Sequence, residues 1–163
     1  MPTVSNTSPI SNLASIDRLP LLREQFKEVW VPEAVKAELK NVPDTTAKKA
    51  IGEAQQSGWI KSRPASNKIL IGLLMTELHP GEAEAIALAI EMKADRILMD
   101  EREGRVMAGQ AGLPVTGVLG VLLRAKKTGR LKTIKPEIDA LKNKARFFIA
   151  PVLEKSILTQ AGE

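Results

Sequence analysis

The segment 79–100 reads HPGEAEAIALAIEMKADRILMD, and its pattern decides the fold class. His79-Pro80-Gly81 breaks the chain, and apolar side chains then follow helical spacing from 82 to 92. Ile97-Leu98-Met99 is a short apolar run typical of a buried strand, and Asp100 follows it directly. A helix that leads into such a strand is the repeating unit of a parallel sheet covered by helices.

The same alternation of strand and helix patterns runs along the rest of the chain. Further strands are predicted at 3–5, 29–31, 59–60, 115–116 and 147–149. Helices are predicted over about 10–14, 19–26, 33–39, 44–56, 82–92, 105–111, 120–127, 139–146 and 151–160. The apolar run 68–78 fits either a helix or a strand. These elements predict an α/β fold with a parallel sheet, whose ligands bind at the carboxyl ends of the strands.

Composition and length narrow the class of protein. The chain has 163 residues and 44% hydrophobic residues, which predicts one domain, 1–163, with a sizeable core. No apolar stretch is long enough to span a bilayer, and no signal-peptide pattern opens the chain, so a cytoplasmic location is expected. The chain has no Cys and one His, so a bound metal must be held largely by oxygen, which favours Mg²⁺ or Mn²⁺ over Zn²⁺.

Positive charge is concentrated in the C-terminal quarter. Residues 122–163, a predicted basic helical part, carry ten Lys and Arg against four Asp and Glu. Lys126, Lys127 and Arg130 lie in it and suit a polyanionic substrate such as RNA; the alternative is a solvated surface that needs no ligand. Aromatic residues are only 3% and Tyr is absent, which argues against a base-stacking platform.

Four polar positions lie at or near the ends of strand-like runs: Asn6, Glu38, Glu82 and Asp100. If they converge at one edge of the sheet, their carboxylates repel one another unless a cation neutralises them. Mg²⁺ takes oxygen ligands, usually one or two carboxylates with water and a substrate phosphate. The constellation therefore suggests a divalent-metal site, and phosphodiester cleavage is the chemistry that such sites often serve.

Each of these residues also has a purely structural interpretation. Asp100 fits a helix cap, and Glu82 in the first turn of a helix complements the helix dipole. Glu38 fits a surface ion pair with a neighbour such as Lys40, and Asn6 fits a turn. The joint placement of the four residues is what favours a metal site.

Five segments together make the chain similar to PIN-domain proteins, close to the toxin nucleases of bacterial toxin–antitoxin modules. They are VSNTSP (4–9), VPEAV (31–35) with Glu38-Leu39, GEAEAIALA (81–89), LMDE (98–101) with Gly104-Arg105, and VTGVLG (115–120) with AKKTG (125–129). The resemblance implies a three-layer α/β/α sandwich with a central, mostly parallel sheet, Mg²⁺ or Mn²⁺, and endoribonuclease activity. An antitoxin protein and a homodimer are the further partners that it suggests.

The resemblance places the catalytic set on Asn6, Glu38, Glu82 and Asp100. Asn6, Glu82 and Asp100 would bind metal, while Glu38 would bind metal or orient the attacking water. Arg105 would join the basic residues above in holding substrate. Glu101 and Glu103 are interpreted as solvated loop charges, with Glu101 also within reach of a second metal.

Asn6 departs from the family, whose first acid is normally Asp. An amide oxygen can coordinate a hard cation but brings no charge, which weakens metal binding by about 1 kcal/mol or more. A non-catalytic PIN-fold module that binds RNA or a protein partner is therefore the alternative function.

Overall fold

The computed structural model describes residues 2–163, whose elements alternate as the sequence predicts. The five strands are β1 Thr3–Ser5, β2 Val29–Val31, β3 Ile60–Ser62, β4 Arg96–Leu98 and β5 Val115–Thr116. The ten helices in this part of the chain are α1 Thr7–Ser15, α2 Pro20–Phe26, α3 Glu33–Leu39, α4 Thr45–Gln56, α5 Lys68–Leu74, α6 Pro80–Glu91, α7 Arg102–Gln110, α8 Val118–Lys127, α9 Lys135–Lys144 and α10 Pro151–Gln160.

The strands form one parallel sheet in the order β3-β2-β1-β4-β5. Central strand β1 pairs with β4 in the register that sets Val4 opposite Ile97 and Ser5 opposite Leu98. Because every strand runs the same way, all carboxyl ends lie along one edge. The predicted parallel sheet and α/β/α sandwich are confirmed.

Two hydrophobic clusters cover the two faces of the sheet. One, which we call the α1/α8 face, packs Leu98 against side chains of α1, α2, α4, α8 and α9. The other, the α6 face, packs Val4, Ile97 and Met99 against α5, α6 and α7. Side chains of a strand alternate between faces, so adjacent residues at a strand end enter different layers.

Helix α6 is more deeply buried than its predicted stripe implies. Ala83, Ala85, Ile86 and the residues to Ala89 are fully buried, whereas Ile90, expected on the buried stripe, is 40% exposed. The helix packs against β1, β4, α3, α5 and α7, so neighbours surround it as far as Ala89, and only its last two residues, Ile90 and Glu91, are exposed. Small alanines allow this close packing on several sides.

Several predicted boundaries were wrong. No strand forms at 147–149; the segment follows α9 as irregular chain in which Ile149 is buried in the α1/α8 face and Phe148 is 84% exposed. The ambiguous run 68–78 contains helix α5. The side chain of Asn67 caps the first turn of this helix, because its Oδ1 accepts from the Leu70 N–H at 3.1 Å. Other helices begin two to four residues earlier than predicted, as with α1 at Thr7 and α9 at Lys135.

No helix among residues 2–163 has the length and apolar character needed to cross a bilayer.

Gly104 fixes the distance between α7 and the end of β4. The glycine is buried, and an added Cβ would overlap the Sδ atom of Met99, a side chain with no exposed area. Gly109, later in the same helix, is exposed and has no atom within 4 Å of an added Cβ. Gly104 thus allows α7, and the residues just before it, to lie close against the sheet.

We expect Gly104→Ala to lower the free energy of unfolding by about 1–3 kcal/mol, because Met99 must move inside a packed core. The matched change Gly109→Ala should raise it by up to about 1 kcal/mol, since alanine favours the helix and meets nothing. Urea unfolding of both variants measures the difference. Equal effects of the two substitutions would contradict the close packing at Gly104.

Candidate functional site

A polar cleft of about 570 Å³ opens at the edge where the strands end. The ends of β1 and of α3, the start of α6 and the loop after β4 contribute its walls. Its lining residues are Asn6, Thr7, Ser8, Glu38, His79, Pro80, Glu82 and Glu101. Three of the four residues predicted for the site, Asn6, Glu38 and Glu82, therefore meet in one cleft.

Asn6 is buried at the end of β1 and connects two walls of the cleft. Its backbone N–H donates to the Leu98 carbonyl at 3.0 Å, and its side-chain Nδ2 donates to Glu101 Oε2 at 3.1 Å. Ser8 Oγ donates to Glu101 Oε1. Asn6 and Ser8 thereby hold the Glu101 carboxylate in the cleft, although the sequence placed Glu101 among solvated loop charges.

Glu38 lies on the opposite wall and is exposed. Thr7 Oγ1 donates to Glu38 Oε2 at 2.7 Å, which fixes the carboxylate beside the first turn of α1. A Cβ on Gly81 would overlap Glu38 Oε1 and lie 3.3 Å from Asn6 Oδ1. Both oxygens thus face the same small space, which stays open because residue 81 has no side chain.

Glu82 is the most buried acid of the cleft, with 7% exposure. Burial raises the pKa of Glu82, and the Glu101 carboxylate raises it further, while His79 opposes the shift through its charge and its backbone N–H. That N–H bond at the helix start is one half of a capping box. Glu82 therefore supports the first turn of α6 and also presents a carboxyl group to the cleft.

Asp100, the fourth predicted residue, faces away from this cleft. Its Oδ1 accepts from the Val118 N–H at 2.9 Å, at the start of α8, and it lines a separate groove beside β5 and α8. The reason is strand alternation: Asp100 follows Leu98 onto the α1/α8 face, whereas Glu101 follows Met99 onto the α6 face. The structure thus brings Glu101, and not Asp100, to the other acids.

Arg105 also lies outside the acid cleft. Its Nη1 donates to the Met99 carbonyl at 2.9 Å, and its guanidinium lies near Asp100, where it partly offsets the raised pKa of that carboxyl. An added Cβ on Gly117 would lie 2.7 Å from Arg105 Nη1 and 2.6 Å from Asp100 Oδ1, so both side chains pack over this glycine. These contacts give Arg105 a structural role at the end of β4.

The basic residues predicted to hold substrate are not in the acid cleft either. Lys126 Nζ lies 2.8 Å from Glu163 Oε2, and Arg130 Nε lies 3.5 Å from Glu24 Oε2. Lys127 is exposed at the end of α8. Two of the three positive charges are therefore already paired with acids of the chain.

The donor atoms of the cleft suit a hard divalent cation. Asn6 Oδ1 and the carboxylates of Glu38, Glu82 and Glu101 are all oxygen ligands, and the space beside Gly81 separates two of them. Among residues 2–163, no three His, Asp or Glu side chains are close enough to form a preassembled metal cluster. Carboxylate and amide oxygens are the ligand types that Mg²⁺ takes in proteins, usually one or two carboxylates with several waters.

Sequence reasoning missed Ser8 and His79 as lining residues and gave Glu101 only a secondary role. His79 was interpreted as a loop residue; it occupies the N-cap position of α6 at the rim of the cleft. The paired acids Asp100-Glu101 after a strand were the available signal, because one of two adjacent residues must face each layer.

The pH dependence of stability provides a test of the placement of Asp100. Burial raises the pKa of Asp100 to about 6 from an ordinary value of 3.8, against the Val118 N–H, which lowers it. Between these values the folded chain binds more protons than the unfolded chain, so Asp100 makes folding less favourable as pH rises from about 4 to 6.

Asp100→Asn keeps the acceptor for Val118 and removes the titration. Relative to the starting protein, the variant should therefore gain stability as pH rises through this window, by at most about 3 kcal/mol at pH 7. Urea unfolding without metal between pH 4 and 7.5 measures the difference. Parallel stability curves for the two proteins would show that Asp100 titrates normally.

The geometry agrees with a comparison against known families. A family model described as a PIN domain matches residues 2–163. No curated protein and no solved structure matches the chain. PIN domains are typically nucleases, and the parallel sheet with acids at its carboxyl edge is consistent with that class. Because the match spans nearly the whole chain, this protein belongs to the PIN-domain family.

Proposed function

We propose that the chain is a metal-dependent endoribonuclease of PIN type whose site consists of Asn6, Glu38, Glu82 and Glu101. The observation that supports this most directly is the convergence of an amide and three carboxylates in one cleft at the edge of the sheet. Glu101 takes the place that the sequence assigned to Asp100. Membership of the PIN-domain family supports RNA as the substrate class, and the oxygen donors of Asn6, Glu38, Glu82 and Glu101 support Mg²⁺ or Mn²⁺ as the cation.

The residues of the cleft divide into two groups by their environment. Asn6 Oδ1, Glu82 and Glu101 would hold the cation, which when bound supplies Lewis acidity toward a phosphodiester. Glu38 is exposed and its Oε1 faces the space beside Gly81, so it would orient an attacking water and accept its proton. Thr7 keeps this carboxylate in place through Oε2.

Burial makes Glu82 harder to ionise than an exposed carboxyl group. The pKa of Glu82 is raised by burial and by Glu101, so without a cation the proton on Glu82 is held more tightly than usual. Glu82 would lose this proton more readily if a cation were bound beside it, because a positive charge favours the ionised carboxylate. Metal affinity should accordingly increase with pH.

Cleavage of a mixed RNA pool with Mg²⁺ or Mn²⁺ tests the activity directly, with Glu82→Gln/Glu101→Gln as the inactive control. If the starting protein does not cleave RNA under any of these conditions, the non-catalytic alternative is favoured. The neutral Asn6 is the specific observation behind that alternative, because it leaves the site one negative charge short of the family pattern.

A toxin role and an antitoxin partner are further parts of the proposal that rest on the family resemblance. Induced expression of the chain in a bacterial host should arrest growth, whereas the Glu82→Gln/Glu101→Gln variant should not. If both proteins arrest growth, toxicity does not depend on the acids of the cleft.

The exposed apolar face of α5 supports a homodimer. Ile69 and Leu73 are 80% and 65% exposed, and Gly72 beside them has no atom within 4 Å of an added Cβ. In an antiparallel pair of these helices Leu73 would pack over the partner's Gly72, and Lys68 would meet the partner's Glu77. We expect the starting protein to have the mass of a dimer in solution and Leu73→Glu to have the mass of a monomer. A monomeric mass for both proteins would overturn the homodimer.

The effect of Mn²⁺ on thermal stability distinguishes Glu101 from Asp100 as a ligand. Mn²⁺ should raise the melting temperature of the starting protein, because ligand binding to the folded state stabilises it. Glu82→Gln/Glu101→Gln should lose this shift, and Asp100→Asn should retain it. Differential scanning fluorimetry with and without Mn²⁺ measures both. A shift that disappears only in Asp100→Asn would place the ion on the α8 side.

Asn6→Asp should have opposite effects on stability and on RNA cleavage. Without metal, the change removes the Nδ2 donor to Glu101 and adds a carboxylate beside it, so stability should fall by about 1–3 kcal/mol. With Mn²⁺, the added charge should raise RNA cleavage about tenfold, equivalent to about 1.4 kcal/mol.

Asn67→Asp is the matched control, since it makes the same charge change at an exposed cap of α5 where Asp serves equally well. The control should leave both the stability without metal and the RNA cleavage with Mn²⁺ nearly unchanged. If Asn6→Asp abolishes an activity that the starting protein has, the asparagine itself is required.

A further inference from the structure

A second cleft of about 630 Å³ continues from the acid cleft along α1. The two clefts share Thr7 and Glu38, whose hydrogen bond forms the boundary between them. The walls of the second cleft are the polar face of α1, the turn 41–44 and the end of α9 with Lys144 and Arg146. A molecule bound in the acid cleft therefore has a continuous path toward two cations.

The α1 wall of this cleft presents hydroxyl oxygens at regular spacing. Thr7, Ser11 and Ser15 are four residues apart and span about 12 Å along the helix. Ser11 Oγ donates to the Ser8 carbonyl at 3.3 Å, and Ser15 Oγ donates to the Ser11 carbonyl at 2.9 Å. Because these hydroxyls donate within the helix, their lone pairs remain to accept a hydrogen bond from a ligand hydroxyl.

The chain at the end of α9 contributes two cations to the lining of the cleft, Lys144 and Arg146. Within residues 2–163, neither Lys144 nor Arg146 belongs to an ion pair, in contrast to Lys126 and Arg130. The acids in the same cleft are Glu38, which Thr7 holds, and Asp44, whose Oδ1 accepts from the N–H groups of Thr46 and Ala47 at the start of α4. The two cations are thus available to an anion.

We propose that this second cleft binds the sugar–phosphate backbone of a single RNA strand whose scissile phosphate lies in the acid cleft. Lys144 and Arg146 contact phosphates, and the serine oxygens accept hydrogen bonds from ribose 2′-hydroxyls. The proposal rests on the proposed function, and it replaces Lys126, Lys127 and Arg130 as the substrate-binding cations. The volume of the cleft is that of a small-ligand pocket, which suits a short stretch of one strand and not a duplex.

The test is the affinity for a fluorescein-labelled, mixed-sequence single-stranded RNA, measured by anisotropy in EDTA at several salt concentrations. EDTA separates binding from cleavage. The variant is Lys144→Ala/Arg146→Gly; Arg146 has φ 53°, a left-handed conformation that glycine adopts without strain, so the fold is retained. The matched control is Lys132→Ala/Lys155→Ala, which removes two exposed positive charges of the same C-terminal part outside the cleft.

We expect the cleft variant to bind RNA at least tenfold more weakly at low salt. The fall of log affinity with log salt concentration should also become shallower by about 1.4 in slope, because each phosphate contact on a single strand contributes about 0.7. The control should change both quantities much less. A DNA strand of the same sequence should bind the starting protein more weakly than RNA, since it lacks the 2′-hydroxyl.

Equal losses in the two variants would show diffuse attraction and overturn the cleft assignment, as would the absence of RNA binding. Failure of the proposed function gives a different result: RNA binds with the expected dependence on Lys144 and Arg146, but Mg²⁺ and Mn²⁺ support no cleavage. Conversely, cleavage whose KM is unaffected by the cleft variant would leave the nuclease in place and remove the second cleft from the substrate path.

Discussion

The parallel pairing of β1 with β4 is the constraint on which the acid cleft depends. Val4 opposite Ile97 fixes the register, and the last bond of the pair joins the Asn6 N–H to the Leu98 carbonyl. This register puts Asn6 and Glu101 on the same face of the sheet, against α6. A shift by one residue would send one of them to the other layer, and the hydrogen bond between the two side chains would be lost.

The close approach of the surrounding helices follows from small residues at the contacts. Gly81 leaves the space that Glu38 and Asn6 share, Gly104 allows α7 to lie against Met99, and the alanines of α6 let that helix be surrounded. These small residues therefore allow close packing of the helices and also shape the acid cleft. Larger side chains there would separate the acids, so the chemistry of the site and the density of the core are coupled.

The cleft is polar, and repulsion between its carboxylates is unfavourable for the folded chain. Burial of Glu82 next to Glu101 raises the pKa of Glu82, and the hydrogen bonds from Asn6, Ser8 and Thr7 offset part of the repulsion. An amide at position 6 supplies a donor where the family normally has a charge. Asn6 therefore offsets part of the repulsion at Glu101 and adds no charge of its own to the cleft.

The sequence by itself determined most strands and helices and the parallel sheet, because helical and strand periodicities are local properties. It also named Asn6, Glu38 and Glu82, which the fold brings into one cleft. The tertiary structure decided which of Asp100 and Glu101 lines the acid cleft. Both follow an apolar run in which Leu98 and Met99 are equally hydrophobic, so the sequence contains no sign of which residue faces α6. The sequence also did not determine which basic residues form ion pairs. Arg130 meets Glu24, and Lys126 meets Glu163, only in the folded chain. Charge that looked available in the sequence is neutralised there, while Lys144 and Arg146 remain unpaired beside the cleft within residues 2–163.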